Sequence, residues 1–227
     1  MTFPKISQFS QVKTSNLVES NASSLFEKFK LASILEQCQI VKEKGYTIVH
    51  MLYMMLIIIL QRSRSMLSGI ANLQAAKLKN PINGMLNDEN YNWRNLLYRI
   101  SKRFAELCPT PEGQVPVLII DDTAKEKSGR RGEFISWFMD HCRQVYYMGY
   151  QVVMAVWHNG VVAIPLDFEL KIGKSRVKHA KKGIYRKGTH TEQRQRMAKQ
   201  KKTKIAESFI RRAISRCFEF RYVLWDS

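Results

Sequence analysis

The chain has 227 residues, enough for one large domain or two small ones, and 45% of them are hydrophobic, which excludes a disordered protein. The formal net charge is +18, and residues 171–204 alone hold 14 Lys and Arg against one acid, Glu192. Positive charge concentrated in this way implies a polyanionic partner, most often nucleic acid. A solvated, partly disordered loop would carry the same composition and remains the alternative.

The four cysteines lie far apart and form no C-x-x-C pair, so neither a zinc ribbon nor a disulfide framework is indicated. They fit the reduced, buried thiols of a cytosolic protein. The most apolar stretch, residues 47–60, is 14 residues long and contains His50, whereas a membrane-spanning helix needs about 20 apolar residues. The N-terminus does not resemble a signal peptide. We therefore expect a buried helix at 47–60, no membrane contact and a cytoplasmic protein.

Residues 1–110 are predicted to form a helical N-terminal domain, which we expect to contact DNA. The helix predicted after Asn87 and Asp88 places Trp93, Leu96 and Phe104 on one side. Arg94 lies off this apolar stripe. Its side chain could contact a phosphate backbone, or it could belong to an ordinary solvated helix face.

The segment 108–116 contains Pro109, Pro111, Gly113 and Pro116, which break the helical pattern and predict a domain boundary. Residues 115–120 then form a short apolar run typical of a buried strand. Asn159-Gly160 predicts a hairpin between two further strands. An amphipathic helix over 205–218 and a last apolar strand at 222–225 complete the region.

The first and last of these strands each end in acids. A strand, helix, strand connection lays its two strands parallel, so neighbouring strands would end at one sheet edge. Asp121 or Asp122 would then stand beside Asp226. Two carboxylates that close repel unless a cation lies between them, and the hard cations suited to oxygen ligands are Mg²⁺ and Mn²⁺. Without further information, a solvated strand-end turn is the commoner explanation of Asp121-Asp122-Thr123.

This order of elements, with "LIIDDT" on the first strand and "YVLWDS" on the last, resembles the RNase-H-like catalytic core of DDE transposases, in particular insertion-sequence transposases of the IS-four type. The resemblance includes "YNWR", "FMDH" and the hairpin region. It implies an α+β protein: an all-helical N-terminal region, then at 115–227 an incomplete RNase-H-like fold with a three-stranded antiparallel meander, a crossover helix, a fourth parallel strand and a basic insertion at 171–204.

The resemblance assigns the acid before the threonine, Asp122, and the acid after the last strand, Asp226, as catalytic metal ligands. It implies DNA cleavage and strand transfer at transposon ends, with a two-metal Mg²⁺ or Mn²⁺ site when a third acid completes it. The partners it implies are double-stranded DNA and a second protein chain, either in a homodimer or as a companion supplying the missing part. The basic residues expected to contact DNA are Lys125, Lys127, Arg130, Arg131, Lys174, Arg176, Lys178, Lys181, Lys182, Arg186 and Lys187.

The family's third catalytic acid is a glutamate downstream of the second aspartate, and only Ser227 follows Asp226. We therefore expect a fragment that is inactive alone and whose last strand is an exposed apolar edge. Two alternatives stay open. One is a non-catalytic DNA-binding protein derived from a transposase, and the other is a stand-alone RNase-H-like nuclease.

Overall fold

The structure, a computed structural model, describes residues 16–42, 44–63, 65–72, 76–130, 132–140, 143–173, 175–176 and 183–225. The chain divides into two compact units, Met1–Asn92 and Trp93–Ser227. The domain boundary predicted from the sequence lies later, at residues 108–116.

The first unit is helical. Its helices are α1 (Asn16–Lys28), α2 (Leu31–Gln37), α3 (Ile48–Leu60), α4 (Met66–Asn72) and α5 (Lys79–Leu86), with a 3₁₀ helix at Ala76–Leu78. α3 is the buried helix expected at 47–60, and it begins where the Thr47 hydroxyl accepts a hydrogen bond from the His50 amide at 3.2 Å. Among the described residues, no helix is both long and apolar enough to cross a bilayer.

The sixth helix, α6 (Trp93–Leu107), belongs to the second unit because it packs on the sheet. Leu96 and Tyr98 are buried, and the Ser101 hydroxyl donates a hydrogen bond to the Pro165 carbonyl at 2.5 Å. This packing explains why the compact unit begins at Trp93 and not after the proline-rich segment, since an amphipathic helix belongs with the surface that buries its apolar face.

The second unit contains a mixed sheet with a helical layer. Its strands are β1 (Val117–Glu126), β2 (Ser136–Asp140), β3 (Val145–His158), β4 (Ala163–Lys171), β5 (Ser175–Arg176) and β6 (Tyr222–Trp225), and its remaining helices are α7 (His190–Ala198) and α8 (Lys202–Ser215). The sheet order is β5-β2-β3-β1-β6, and β4 also pairs with β3. This arrangement is compatible with an RNase-H-like fold. It contains the expected antiparallel meander of β1, β3 and β4, the crossover helix α8 and the parallel strand β6.

The long strand β3 holds this sheet together. Its residues 149–158 pair with β1 on one side, while 151–158 pair with β4 and 145–149 pair with β2 on the other. At the hairpin, Asn159 is buried and its side-chain oxygen accepts hydrogen bonds from the amides of Val161 and Val162. Gly160 follows with φ +96°, a conformation that glycine adopts without strain. The predicted Asn-Gly hairpin is therefore present.

The core of the second unit lies between one sheet face and the helices α6 and α8. Leu118, Ile120, Ala155 and Leu166 from the sheet pack against Phe209 of α8, and all are fully buried. Strand β6 differs from this pattern. Each of its four side chains is exposed, and the edge of β6 away from β1 pairs with no described strand.

The cysteines differ from the sequence expectation in one respect. Cys38 is buried and Cys108 is half-buried, but Cys217 is exposed. Cys217 lies after the end of α8, with φ +56°, and not on the helix face that packs on the sheet. The expectation of buried thiols is therefore wrong for Cys217, and Cys142 lies outside the described residues.

Candidate catalytic site and nucleic-acid surface

Strand β1 carries its two adjacent aspartates on opposite faces. Successive side chains of a strand alternate, so Asp122 continues the face of the buried residues Leu118 and Ile120, while Asp121 shares the other face with Ile119. Asp121 is exposed, and its carboxylate accepts a hydrogen bond from the Asp122 amide at 2.7 Å. The two acids therefore have different surroundings, although they are neighbours in sequence.

Both carboxylate oxygens of Asp122 have partners from the protein. The Lys202 ammonium, at the start of α8, lies 2.7 Å from Oδ1, and the Gln151 side-chain amide donates to Oδ2 at 2.6 Å. The Asp122 side chain is 27% exposed, so this pairing leaves it accessible from solvent. A half-exposed ion pair of this kind contributes little to stability but fixes the carboxylate in place.

Strand β6 pairs in parallel with the first four residues of β1, but β1 continues to Glu126, so the expectation that this strand ends before Asp121 is wrong. Val117 pairs with Tyr222, and Ile120 pairs with Trp225. Ile120 is the residue before Asp121, and Trp225 is the residue before Asp226. Asp226 lies outside the described residues, so the separation of the predicted acid pair stays a prediction.

Two further acids, Asp140 and Glu126, lie on the same sheet face as Asp122. Burial raises the pKa of the Tyr147 phenol, and the carboxylates of Asp140, Asp122 and Glu126 raise it further. Carboxylate oxygens are ligands that a hard divalent cation prefers. Asp122 thus fits such a cation in its chemistry. Within the described ranges, however, no group of three or more His, Cys, Asp or Glu side chains is placed to hold a metal ion.

A cleft of about 540 Å³ adjoins Asp122. Gln151 and Lys202, its two side-chain partners, also line the cleft, together with Phe138 of β2 and the lysines Lys171, Lys199 and Lys201. Burial lowers the pKa of Lys171, and the nearby charge of Lys202 lowers it further. The cleft is therefore a concave, positively charged surface next to the candidate catalytic acid.

The basic residues predicted to contact DNA are only partly described. Lys125, Lys127 and Arg130 are exposed at and beyond the end of β1, and Arg186 and Lys187 are exposed before α7. Lys125 lies on the sheet face opposite Asp122, because it is an odd number of residues away along β1. Arg131, Lys174, Lys178, Lys181 and Lys182 lie outside the described residues, as does the side chain of Arg176.

Part of the basic segment 171–204 forms a helix that packs on β4. Residues 190–198 form α7, which begins where the Thr189 hydroxyl accepts a hydrogen bond from the Glu192 amide. The Arg194 guanidinium lies 3.6 Å from the buried Glu169 carboxylate and 4.4 Å from the centre of the Phe168 ring. Arg194 therefore contributes to the packing of the fold. Fewer positive charges are available to bind a polyanion than the net charge of this segment indicates.

A buried cluster of charges joins the helices to β4. Asp167 and Glu169 are both nearly fully buried. The Nε of Arg94 on α6 lies 2.9 Å from the Asp167 carboxylate, and a terminal nitrogen of the same guanidinium contacts Glu169. The Arg212 Nε of α8 lies 2.7 Å from Asp167. Arg94 was expected to face phosphate or solvent. That expectation is wrong because two buried carboxylates require a partner cation.

Gln151, Lys202 and this charge cluster were not predicted from the sequence. Two patterns in the sequence indicate part of them. Asp167 and Glu169 stand two residues apart in an apolar strand, so both face one side and need cations there. Gln151 is a lone polar residue in an apolar run, and no comparable pattern marks Lys202 among its lysine neighbours.

The sequence matches the description "DDE superfamily endonuclease" over residues 52–227, more than three quarters of the chain. The match begins within α3 and includes the whole of the second unit. Comparisons with curated proteins and with solved structures give no match. The chain therefore belongs to the DDE superfamily of endonucleases, nucleases that act on DNA and generally use divalent metal ions.

Proposed function

We propose that this chain is a transposase of the IS-four type, which cleaves and joins DNA at transposon ends with Asp122 and Asp226 as catalytic metal ligands. The observation that supports this assignment best is the parallel pairing of β1 and β6, with Ile120 opposite Trp225. Asp122 lies within β1, two residues after Ile120, and Asp226 follows Trp225 in the sequence. Acids on adjacent parallel strands suit a site for metal-assisted phosphodiester chemistry.

The residues around Asp122 have separate roles in this proposal. Gln151 donates to one carboxylate oxygen and orients the acid, while Lys202 balances its charge on the other oxygen. A bound Mg²⁺ or Mn²⁺ would supply an activated oxygen nucleophile and stabilise the leaving oxygen. Asp122 and Asp226 would hold it, with a third acid required to complete a two-metal site.

We propose further that the 227 residues alone do not cleave DNA. The described residues contain no cluster of three metal-ligating side chains. The exposed outer edge of β6 offers a place where a second chain or a companion polypeptide could add a strand and a third acid. Exposed lysines and arginines, among them Lys125, Lys127 and Arg130, would contact the DNA backbone.

The pairing of Asp122 with Lys202 and Gln151 favours one alternative function, that of a non-catalytic DNA-binding protein. In such a protein Asp122 binds no metal, and both of its carboxylate oxygens can be occupied by donors from the protein. A measurement of Mn²⁺ binding distinguishes the two functions. A transposase core binds Mn²⁺ through Asp122 and Asp226, so Asp226→Asn should abolish binding, whereas the non-catalytic protein binds no Mn²⁺ and retains DNA binding.

The experiment on activity uses supercoiled plasmid with Mg²⁺ or Mn²⁺. We expect no nicking by the 227-residue chain and strong, salt-sensitive DNA binding. Nicking that disappears in Asp122→Ala would overturn the proposed inactivity and would support the assignment of Asp122.

A further inference from the structure

The cleft beside Asp122 has the size of a site for one small ligand. Its volume of about 540 Å³ lies within the range of about 300–1,000 Å³ that small-molecule sites occupy. A base-paired duplex offers its bases only at their groove edges. A single unpaired nucleotide, with its base free to stack, suits a concave cleft of this size better.

The charge of the cleft favours an anion. Lys199 and Lys201 are exposed, and neither forms an ion pair with a carboxylate in the part of the chain that the structure describes. Lys202 is paired with Asp122, and the Lys171 ammonium donates to the Ile172 and Ala198 carbonyls. Four lysines facing one acid leave a net positive cleft, and α8 begins at this rim, so its positive end adds to the attraction.

One wall of the cleft is aromatic. Phe138 lines it, half-buried, with its ring centre 6.2 Å from that of Tyr147. Gly173 stands against the same ring, and a Cβ there would come within 3.1 Å of a Phe138 ring carbon. The absence of a side chain at Gly173 lets the segment after β4 approach β2 closely, which shapes the cleft beside the ring.

We propose that this cleft binds one unpaired nucleotide of a DNA strand, with its phosphate on Lys199 and Lys201 and its base against Phe138. Lys202 and Gln151 line the cleft and also contact Asp122, so the bound strand lies next to this acid. The proposal rests on the proposed function in taking DNA as the polymer. It adds a preference for strands with unpaired nucleotides, which backbone contacts alone do not provide.

The first experiment measures binding of the full chain to a fluorescein-labelled oligothymidylate by anisotropy over a range of salt concentrations. Each lost phosphate contact on a single strand reduces the slope of log K against log salt by about 0.7, so Lys199→Gln/Lys201→Gln, which removes both lysines from the one phosphate, should reduce it by about 0.7. The matched control is Lys204→Gln/Arg211→Gln, which removes the same charge from exposed positions on α8 outside the cleft. The control should keep the wild-type slope.

The second experiment tests the aromatic wall with Phe138→Leu, which keeps an apolar side chain but removes the stacking face. Stacking of one base on an aromatic ring implies a loss of roughly 5- to 150-fold in affinity for the oligothymidylate. Affinity for a blunt duplex of the same length should stay unchanged. Circular dichroism checks that the variant is folded, and the lysine variant tests the cleft independently because its positions are exposed.

An unchanged salt slope in Lys199→Gln/Lys201→Gln, or equal losses in this variant and its control, would overturn the cleft proposal. Neither result would bear on Mn²⁺ binding by Asp122, which tests the proposed function separately. Conversely, reduced slopes in the cleft variant together with no Mn²⁺ binding would support the cleft and reject the catalytic assignment.

Discussion

The Lys202 ammonium lies 2.7 Å from the Asp122 carboxylate, so the acid that the resemblance marks as catalytic already has a cation from the first turn of α8. If Asp122 is a metal ligand, as we propose, a divalent metal would compete with this ammonium, because two cations near one carboxylate oxygen repel each other. The ion pair would therefore weaken metal binding at Asp122.

Replacing Lys202 with glutamine should strengthen metal binding. Two unit charges about 4 Å apart in water interact by about 1 kcal/mol, and the partly exposed pair gives less than that, so we expect Mn²⁺ affinity to rise by about two- to fivefold. Electron paramagnetic resonance of free Mn²⁺ measures it. Lys204→Gln, which removes a lysine paired with Glu207, is the control and should leave the affinity unchanged. Weaker binding in Lys202→Gln would show that the lysine supports the metal site.

The two adjacent aspartates should respond differently to substitution. Asp122→Asn removes the charge that Gln151 and Lys202 contact, and we expect Mn²⁺ binding to be lost. Asp121→Asn changes an exposed acid on the opposite sheet face and should leave Mn²⁺ affinity within about twofold. The pair is a matched comparison because the chemical change is identical. Equal losses in both variants would contradict the assignment of Asp122 as the ligand.

The apolar and turn patterns predicted much of the second unit. Continuous apolar runs marked β1 and β6, the Asn159-Gly160 turn marked the β3–β4 hairpin, and helical periodicity marked α8. These signals are local, since each depends on residues near in sequence. The strand, helix, strand connection predicted that β6 runs parallel to another strand of the sheet, a rule that needs no side-chain detail, whereas β1 as its neighbour was assumed and is found in the structure.

The features that were missed depend on contacts between distant residues. Arg94 and Asp167 are 73 positions apart in the sequence. The residues around Arg94 in the sequence do not indicate that its side chain pairs with two buried acids. The short strand β2 was not predicted because it is stabilised by pairing with β3, a distant contact. The helix α7 was not predicted because its charged residues form no apolar helical pattern. Composition predicted a surface for a polyanion there, with a solvated loop as the alternative, whereas Arg194 contacts Glu169 and Phe168.

Substitution of Arg94 should destabilise the second unit strongly. Arg94→Gln leaves Asp167 and Glu169 buried with one fewer cation, and breaking a buried pair of this kind costs about 3–5 kcal/mol. Urea unfolding measures the change in the free energy of unfolding. Arg103→Gln on the same helix loses a partly exposed pair with Glu106 and should cost far less. Similar costs in the two variants would mean that the buried cluster contributes no more than a surface pair.

The free energy of unfolding should depend on pH through the protonation of Glu169. Burial raises its pKa above the ordinary 4.5, and Asp167 adds to this, while Arg194 and Arg94 oppose it. A raised pKa means that the folded state binds the proton more tightly than the unfolded state does. The contribution of Glu169 to stability is thus fully present below pH 4.5 and is lost as the pH rises through its folded pKa.

The test compares wild type with Glu169→Gln by urea unfolding at neutral pH and near pH 5. The wild type should gain stability relative to Glu169→Gln as the pH falls, because only the wild type can take up the proton. Glu207→Gln provides a control of opposite sign, since hydrogen bonds from Lys204 and Arg211 lower the pKa of Glu207. There the wild type should lose stability relative to the variant only as the pH falls below 4.5, so this control is extended to about pH 3. If both comparisons changed in the same direction, the raised pKa of Glu169 would be contradicted, and the arginines around it would outweigh its burial.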